Sequence, residues 1–264
     1  MLSVSSIQKI EKIYQTGEEP VLVLCSDMRQ YVCKYCRYPG SANKLICEYI
    51  GSVIAKKMGL NIPTTTLINI QSTHVPSRLS PSFFAKTSIG SQLMESVIDV
   101  TPSSQSSIEC SKESLLDLLQ IALFDIWVAN EDRNSNNANL MYQISQGKFV
   151  PIDHGCIFNT CTFDYPLSLL TCNDTILNSD LFVSCSQCMS YHELEKNINK
   201  ILKMFDVAVE SVRIDQIMDG LPKDWNVREN VVRNKLHELI SAGWVAGVKD
   251  TFVEYIKENM TYGK

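Results

Sequence analysis

The chain has 264 residues, of which 45% are hydrophobic, and its formal net charge is −5. This length allows one large domain or two lobes, which would bury roughly three quarters of the surface of the unfolded chain. The sequence contains no dense run of Lys or Arg, which argues against nucleic acid or an anionic membrane as the main partner. No apolar run reaches about 18 residues, so we expect no membrane span. The first residues lack a signal-peptide pattern, and we therefore expect a cytoplasmic protein.

The ten cysteines include two CxxC pairs, Cys33/Cys36 and Cys185/Cys188. Paired CxxC units can bind zinc. Cys33 and Cys36 lie in a predicted strand, however, and residues three apart in a strand point to opposite faces. Because nothing indicates a secreted chain, we favour reduced thiols that are buried or half-buried.

Residues 1–100 predict a small unit of strands and one helix. Three short strands, at 10–15, 21–26 and 31–36, are separated by the turn sequences "TGEEP" and "DMRQ", which favours an antiparallel meander. Apolar residues recur at helical spacing over 41–59, and Gly59 is a suitable helix stop. The segment "FFAKTSI", 83–89, predicts a further strand.

The rest of the chain predicts mainly helices. Residues 101–112 are rich in Ser and predict a linker, and residues 112–130 are apolar almost all round, which predicts a buried helix. Amphipathic helices are predicted near the C-terminus, at 191–205, 228–243 and 248–260. The predicted fold class is therefore α+β with two lobes. A small antiparallel sheet with one helix (1–100) is joined by the linker (101–112) to a mainly helical lobe (113–264).

The stretch from Val128 to Gly155, "VANEDRNSNNANLMYQISQGKFVPIDHG", places many short polar side chains between two apolar segments. Asp132 and Asn137 are five residues apart, and Asp153 follows a short apolar strand. One carboxylate could accept the proton of an attacking hydroxyl, while the Asn amide and a second carboxylate could hold Mg²⁺ on nucleotide phosphates. Asn and Asp also form turns, so a polar surface loop is the alternative interpretation.

Two upstream residues complete a pattern for phosphoryl transfer. Such a site needs a cation on the phosphates, usually a Lys on a strand, and an acid on the next helix that holds this Lys. Lys34 lies on the third predicted strand, and Glu48 lies on the helix that follows. Either residue alone carries little information, but in this order they form a five-part constellation with Asp132, Asn137 and Asp153.

At this point the sequence resembles the HipA-like kinases, a bacterial branch of the protein-kinase-like fold, and more distantly the type II phosphatidylinositol 4-kinases. The resemblance is carried by "TGEEPVLVLCSDMRQYVCKY", "LICEYIGSVIAKKMGLNIPTT", "FDIWVANEDRNSNNANLMY" and "VPIDHGCIF". A C-terminal block, "LPKDWNVRENVVRNKLHELISAG", also resembles the closing helices of that group. The resemblance implies a two-lobed protein-kinase-like fold.

The resemblance also implies a role for each residue of the constellation. Lys34 would contact the phosphates of ATP and would be held by Glu48. Asp132 would be the catalytic base, and Asn137 with Asp153 would ligate Mg²⁺. Lys34 and Asp132 are therefore the predicted catalytic residues, and Asn137 and Asp153 are the predicted metal ligands.

Further nucleotide contacts are implied in two segments. Thr16 and Gly17, in the first turn, would cover the phosphates. The segment Ile89–Met94 would be the hinge that receives adenine through backbone groups, and the predicted cofactor-binding residues there are Ser91, Gln92 and Leu93.

The sequence departs from ordinary protein kinases at several positions. It has no G-x-G-x-x-G loop, and Glu18 and Glu19 in the first turn would repel phosphate unless they face solvent. Asn130 and Glu131 stand before Asp132 in place of His-Arg, and His154 replaces the usual Phe.

Arg133 has two interpretations. It could bind a substrate or a phosphorylated side chain, or it could pair with Asp125 or Glu131. We favour the structural pair. For His154 we favour a packed side chain over a residue that tunes the metal carboxylate.

The expected activity is transfer of the γ-phosphoryl group of ATP, with Mg²⁺, to a Ser or Thr hydroxyl on a protein substrate or on the chain itself. Family analogy adds an antitoxin-like partner protein. Two alternatives stay open, namely a kinase for a non-protein substrate such as a lipid head group, and a nucleotide-binding pseudokinase. No basic amphipathic membrane-binding segment supports the lipid version, and the complete constellation opposes the pseudokinase.

Overall fold

The computed structural model describes residues 3–38 and 41–261. The predicted lobes 1–100 and 113–264 thus include a few positions that lie outside the described residues. The strands are β1 (Ser3–Ser5), β2 (Lys12–Ile13), β3 (Val21–Leu24), β4 (Gln30–Lys34), β5 (Thr65–Asn69), β6 (Ser88–Gln92), β7 (Val97–Asp99), β8 (Leu140–Gln143) and β9 (Lys148–Pro151). The helical segments are α1 (Ser41–Lys57), α2 (Lys112–Val128), α3 (Ile157–Cys161), α4 (Asp180–Ser186), α5 (Tyr191–Ser211), α6 (Ile214–Asp219), α7 (Glu229–Leu239) and α8 (Ala242–Thr261).

The first six strands form one sheet in the order β1-β5-β6-β4-β3-β2. The antiparallel meander β2-β3-β4 is present as predicted, and the α+β fold class is confirmed. The predicted antiparallel sheet has one parallel pair at its edge, where β1 lies parallel to β5 with Ser3 opposite Leu67. The chain passes through α1 between these strands, and parallel pairing requires such a long connection.

The strand predicted at 83–89 is displaced toward the C-terminus. Pro81–Phe84 is instead a short 3-10 helix with Pro at its start, where the missing N–H of Pro is not needed. The observed strand is β6, which pairs with β4 on one side and β5 on the other. The segment predicted as a hinge, Ile89–Met94, therefore lies mostly within the sheet.

The second sheet consists of β7, β8 and β9, and it packs near the buried helix α2. The side chain of Ser111 caps α2 by accepting from the Ser114 N–H, and the helix ends at Ala129, whose φ of 49° is left-handed. Twelve of its residues are buried, which confirms the prediction made from its apolar sequence. The polar stretch that follows α2 is thus attached to the most buried helix of the fold.

Two hydrophobic clusters hold the molecule together. The smaller lies against the first sheet, and the larger joins α1, α2 and the C-terminal helices. Trp127 and Trp225 are buried in the larger cluster, and the Trp127 indole donates to the Leu239 carbonyl at 2.9 Å. Because α1 belongs to the larger cluster, the helix that carries Glu48 is fixed against the helical part of the molecule.

The ten cysteines all lie in the described residues and form no disulfide with one another; four are buried and six are half-buried. Within residues 3–38 and 41–261, no group of three or more His, Cys, Asp or Glu side chains is arranged to hold a metal ion. No helix in the same ranges combines the length and the apolar character needed to cross a membrane.

Candidate active site

One cavity of about 840 Å³ lies between the first sheet and the strands β7–β9. It brings together all ten of the predicted site residues, which come from separate segments of the chain. They are Thr16, Gly17, Lys34, Glu48, Ser91, Gln92, Leu93, Asp132, Asn137 and Asp153.

Lys34, at the end of β4, lies between two carboxylates. Its Nζ donates to Oε1 of Glu48 on α1 and, at 2.5 Å, to Oδ1 of Asp153. The His154 N–H donates to the second Glu48 oxygen at 3.1 Å. A Cβ on Gly155 would come within 3.2 Å of Glu48 Oε1 and 3.3 Å of Asp153 Oδ1. Glycine is therefore the residue that fits beside the three charged groups.

The three charged groups shift one another's pKa values. Burial would lower the pKa of Lys34, but the Glu48 and Asp153 carboxylates raise it above its ordinary value. Burial would raise the pKa of Asp153, but the Lys34 ammonium and the hydrogen bonds from its neighbours hold it below its ordinary value. Burial raises the pKa of Glu48 to about 7, against the opposing effect of Lys34. The cluster thus favours a charged Lys34 and an ionised Asp153.

The Asp132 carboxylate is held by two amides. Asn137 Nδ2 donates to Oδ1 at 3.1 Å, and Asn139 Nδ2 donates to Oδ2 at 3.0 Å. Asn139 also donates to the Asp132 carbonyl at 3.0 Å. Sequence spacing selected Asn137 and gave no role to Asn139, although both belong to the same asparagine-rich run. Asp132 is half-exposed and Asn137 is exposed, so both can be reached from solvent.

Arg133 is paired with Asp125, as the structural interpretation predicted. Both side chains have no exposed surface, and Arg133 Nη1 contacts Asp125 Oδ1. Asn130 Nδ2 donates to the same oxygen at 2.8 Å. Burial raises the pKa of Asp125 to about 6, while Arg133 acts in the opposite direction. Glu131, the other suggested partner of Arg133, instead accepts hydrogen bonds from Asn159 and Thr160.

His154 is a packed side chain with 3% exposure. Its ring meets Phe124 of α2 edge to face, with the ring centroids 5.4 Å apart. Gly51 of α1 lies so close that a Cβ there would be 2.5 Å from the His154 Cβ. His154 therefore joins α1 to α2 at the point where Asp153 enters the cavity.

Part of the cavity has apolar walls beside a strand edge. Val32 and Ile89 lie on one side, and Leu140 and Ile152 lie on the other. The predicted hinge differs in detail, because two of its backbone N–H groups are already used in the sheet. Gln92 donates to the Thr64 carbonyl and Leu93 to the Gln30 carbonyl, each at 2.8 Å.

Met94 is the next residue along this edge and also lines the cavity. In the described part of the chain, its backbone N–H donates to no partner. The first free backbone donor at this edge therefore lies one residue beyond the three predicted ones.

The two acids in the first turn do not stand unpaired. Glu18 forms an ion pair with Lys44 of α1, and Glu19 forms an ion pair with Arg37 at 2.7 Å. Each cation offsets the negative charge that these acids would present to a phosphate. The expected repulsion at this turn is therefore reduced by two neighbouring cations.

Comparison with family models matches residues 7–242 to the HipA-like kinases. The chain belongs to the HipA-like kinase family. This confirms the family suggested by the sequence motifs and supports a phosphotransferase activity. Comparison with curated protein sequences gave no match.

Among solved structures, this member of the HipA-like kinases is similar to the Helicobacter pylori proinflammatory kinase CtkA. The TM-score is 0.53 at 14% identity, covering 97% of this chain and 99% of that chain. At this identity the likeness shows a kinase-like fold and nothing about the substrate. Two structures of the Golgi casein kinase, one with Mn/ADP bound, match with TM-scores of 0.47 and 0.46 at 13% and 12% identity; each match covers 96% of this chain and 74% of that chain.

Proposed function

We propose that this HipA-like kinase is an ATP-dependent serine/threonine protein kinase that uses Mg²⁺. The observation that carries the proposal is the shared cavity, in which Lys34, Glu48, Asp132, Asn137 and Asp153 meet from four segments of the chain. Chance turn formation explains a polar loop, but it does not explain a half-buried cation and a buried acid on the opposite wall. Catalysis would depend on positioning and on stabilising charge, as is general for phosphoryl transfer.

Lys34 would contact the phosphates of the nucleotide. Its pKa is raised by Glu48 and Asp153, so it is cationic at neutral pH. The buried Glu48 holds the Lys34 ammonium through a direct ion pair. Lys34 thus offers a fixed positive charge at the place where phosphate charge has to be stabilised.

Asp132 would orient the acceptor hydroxyl and take its proton. The amides of Asn137 and Asn139 hold its two oxygens, so the carboxylate has a defined direction. Half-exposure of Asp132 leaves room for a Ser or Thr side chain from a protein acceptor. A general base of this type contributes on the order of 10²- to 10⁴-fold in rate.

Asn137 and Asp153 would hold a divalent cation. The Asn137 amide nitrogen donates to Asp132, which leaves the amide oxygen available, and Asp153 is ionised. Carboxylate and amide oxygens suit Mg²⁺, which usually keeps several waters or phosphate oxygens among its ligands. When bound, the cation would neutralise charge on the phosphates.

Adenine would occupy the apolar part of the cavity. The Met94 N–H is the free backbone donor at this edge, with Ser91, Gln92 and Leu93 forming the adjoining wall. Thr16 and Gly17 would lie over the phosphates on the opposite side. The nucleotide would then lie between the proposed lobes 1–100 and 113–264, with 101–112 as the proposed linker.

Ten cysteines without an assigned disulfide in the described residues suit a reducing compartment, which supports a cytoplasmic location. The proposed partners are a protein substrate, the chain itself as substrate, and an antitoxin-like protein by family analogy. A non-protein acceptor is distinguished by the experiment below.

The proposal is tested by intact-mass spectrometry and ADP release with ATP and Mg²⁺, for the wild type and for Asp153→Asn. The expected result is transfer to protein hydroxyls by the wild type only, abolished by EDTA and restored by Mg²⁺. ADP release without any modified protein would mean transfer to water, and a rise in ADP release on adding a small-molecule alcohol or a lipid head group would indicate a non-protein acceptor. A thermal shift with Mg²⁺ and ATP but no ADP release would overturn the kinase proposal in favour of a pseudokinase.

A further inference from the structure

Arg133 makes backbone contacts that its pairing with Asp125 does not require. The guanidinium donates through Nη2 to the Ile152 carbonyl at 2.7 Å and through Nε to the Asn139 carbonyl at 3.3 Å. Nη2 also lies 3.4 Å from Nδ1 of His154. Arg133 therefore binds the chain on both sides of the turn between the proposed base and the proposed metal ligand.

One of the two carbonyls belongs to a residue in a left-handed backbone conformation, and the other directly precedes such a residue. Asn139 has φ 42°, and Asp153, which directly follows Ile152, has φ 59°. Left-handed conformations are uncommon for non-glycine residues, although Asn and Asp adopt them more readily than most, and neighbouring contacts help to hold both residues in place. The Ile152 N–H also donates to the Asn139 carbonyl at 3.0 Å, which closes this small network.

Each left-handed residue presents a group of the proposed active site. Asn139 holds the Asp132 carboxylate through its amide, and Asp153 carries the carboxylate that contacts Lys34. A shift of the Arg133 guanidinium would therefore move the base and the metal ligand relative to each other. The contact with Asp125 fixes the guanidinium to α2, the most buried helix.

We propose that Arg133 is a positioning residue that sets the distance between the Asp132 and Asp153 carboxylates. This inference rests on the proposed kinase function and deepens it. Asp125 holds the guanidinium in place, and the guanidinium holds two backbone carbonyls with its separate N–H groups. A Lys ammonium is a single point of charge on a flexible stem and cannot reproduce this planar, multi-site arrangement.

Two variants separate positioning from stability. Arg133→Lys keeps a positive charge for Asp125 but cannot reach both carbonyls. Asp125→Asn with Arg133→Met removes both buried charges together, so neither is left unpaired, and Asn at 125 can still accept from Asn130. For both we expect kcat per ATP-binding molecule to fall by on the order of 10- to 100-fold, because small misplacements of reacting groups have such effects.

The control is Asp117→Asn, which alters a half-buried carboxylate on the same helix that accepts from the Phe149 N–H at 3.3 Å. Its kcat should equal that of the wild type. KM for ATP should change less than kcat in the Arg133 variants, because Lys34 and the Met94 edge keep their residues, whereas the Mg²⁺ concentration needed for half-maximal rate should rise because Asp153 is displaced. A kcat equal to wild type in folded Arg133→Lys would overturn the inference. If the double variant does not fold, Arg133→Lys decides alone.

Failure of the proposed function gives a different result. In that case the wild type would release no ADP, and the thermal shift by ATP becomes the measurement. Loss of the Mg²⁺-dependent part of this shift in Arg133→Lys would support the positioning role without catalysis. An unchanged Mg²⁺-dependent shift would overturn it.

Discussion

The two sides of the cavity are held in place by different means. On the side of Asp132 and Asp153, buried hydrogen bonds and a fully buried ion pair at Arg133 fix the chain. On the side of the first turn, Glu18 and Glu19 are held by ion pairs whose side chains keep roughly a quarter to two fifths of their surface exposed. Exposed pairs of this kind contribute only about 0–1 kcal/mol each.

This difference indicates that the two sides of the cavity have different roles. The groups proposed to perform the chemistry are fixed before any ligand binds, which is the arrangement that electrostatic catalysis requires. The turn proposed to cover the phosphates can adjust to the nucleotide at little energetic cost. Substitutions on the first side should therefore have large effects on kcat, and substitutions on the second should have small effects on KM.

The largest effect is expected for Asp132→Ala. Loss of the general base should lower kcat by on the order of 10²- to 10⁴-fold. KM for ATP should change little, since the adenine pocket is unaltered. The measurement is steady-state ADP release, with thermal unfolding as the control for folding. Full activity of this variant would remove Asp132 from the mechanism.

The second effect is expected on the free energy of unfolding, for Gly51→Ala. Replacing a helical Gly by Ala normally stabilises a protein by up to about 1 kcal/mol. Here the new Cβ would lie 2.5 Å from the His154 Cβ, so we expect a loss of roughly 1–3 kcal/mol from overpacking. Denaturant unfolding measures the change. Gly243→Ala in α8 is the matched control, since a Cβ there meets nothing within 4 Å.

The third effect is expected for Gly155→Ala. The added methyl group would crowd Glu48 and Asp153, at 3.2 and 3.3 Å, and would displace at least one carboxylate. We expect kcat/KM to fall about tenfold, equivalent to about 1.4 kcal/mol. When the rate is measured at varied Mg²⁺ concentration, saturating Mg²⁺ should raise the rate of the variant less than it raises that of the wild type. Activity equal to that of Gly243→Ala would show that the cluster tolerates a side chain.

Part of the site could be predicted from the sequence alone. Spacing along the chain located Lys34, Asp132 and Asp153, because phosphoryl transfer requires these residue types in a fixed order. The same spacing could not distinguish the roles of Asn137 and Asn139, since both lie in one asparagine-rich run. The role of Asn139 depends on a left-handed φ, which tertiary contacts impose.

The fold was predictable where the local pattern and the tertiary environment agree. The apolar helix α2 and the meander β2–β4 are examples. The parallel edge strand β1 was not predictable, because its pairing with β5 depends on the path of the intervening chain. Residues 83–89 have strand-like composition, yet Pro81 starts a 3-10 helix and delays the strand.

The smallest effect is expected on KM for ATP, at the ion pair of Glu18 with Lys44. Substitutions of the two partners should change KM in opposite directions. Lys44→Met leaves Glu18 unpaired beside the proposed phosphate site, so KM for ATP should rise. Glu18→Gln removes the negative charge, so KM should fall. Each change in KM should be less than about fivefold, because an exposed ion pair contributes up to about 1 kcal/mol.

The double variant should return KM close to the wild-type value, because both charges are removed together. Measuring KM for ATP at low and high salt gives a second criterion, since screening weakens interactions between exposed charges. The opposite shifts should both shrink at high salt, with kcat unchanged throughout. A large loss of kcat in either single variant would contradict the proposed contrast, because it would mean that the first turn positions the reacting groups as rigidly as the buried side does.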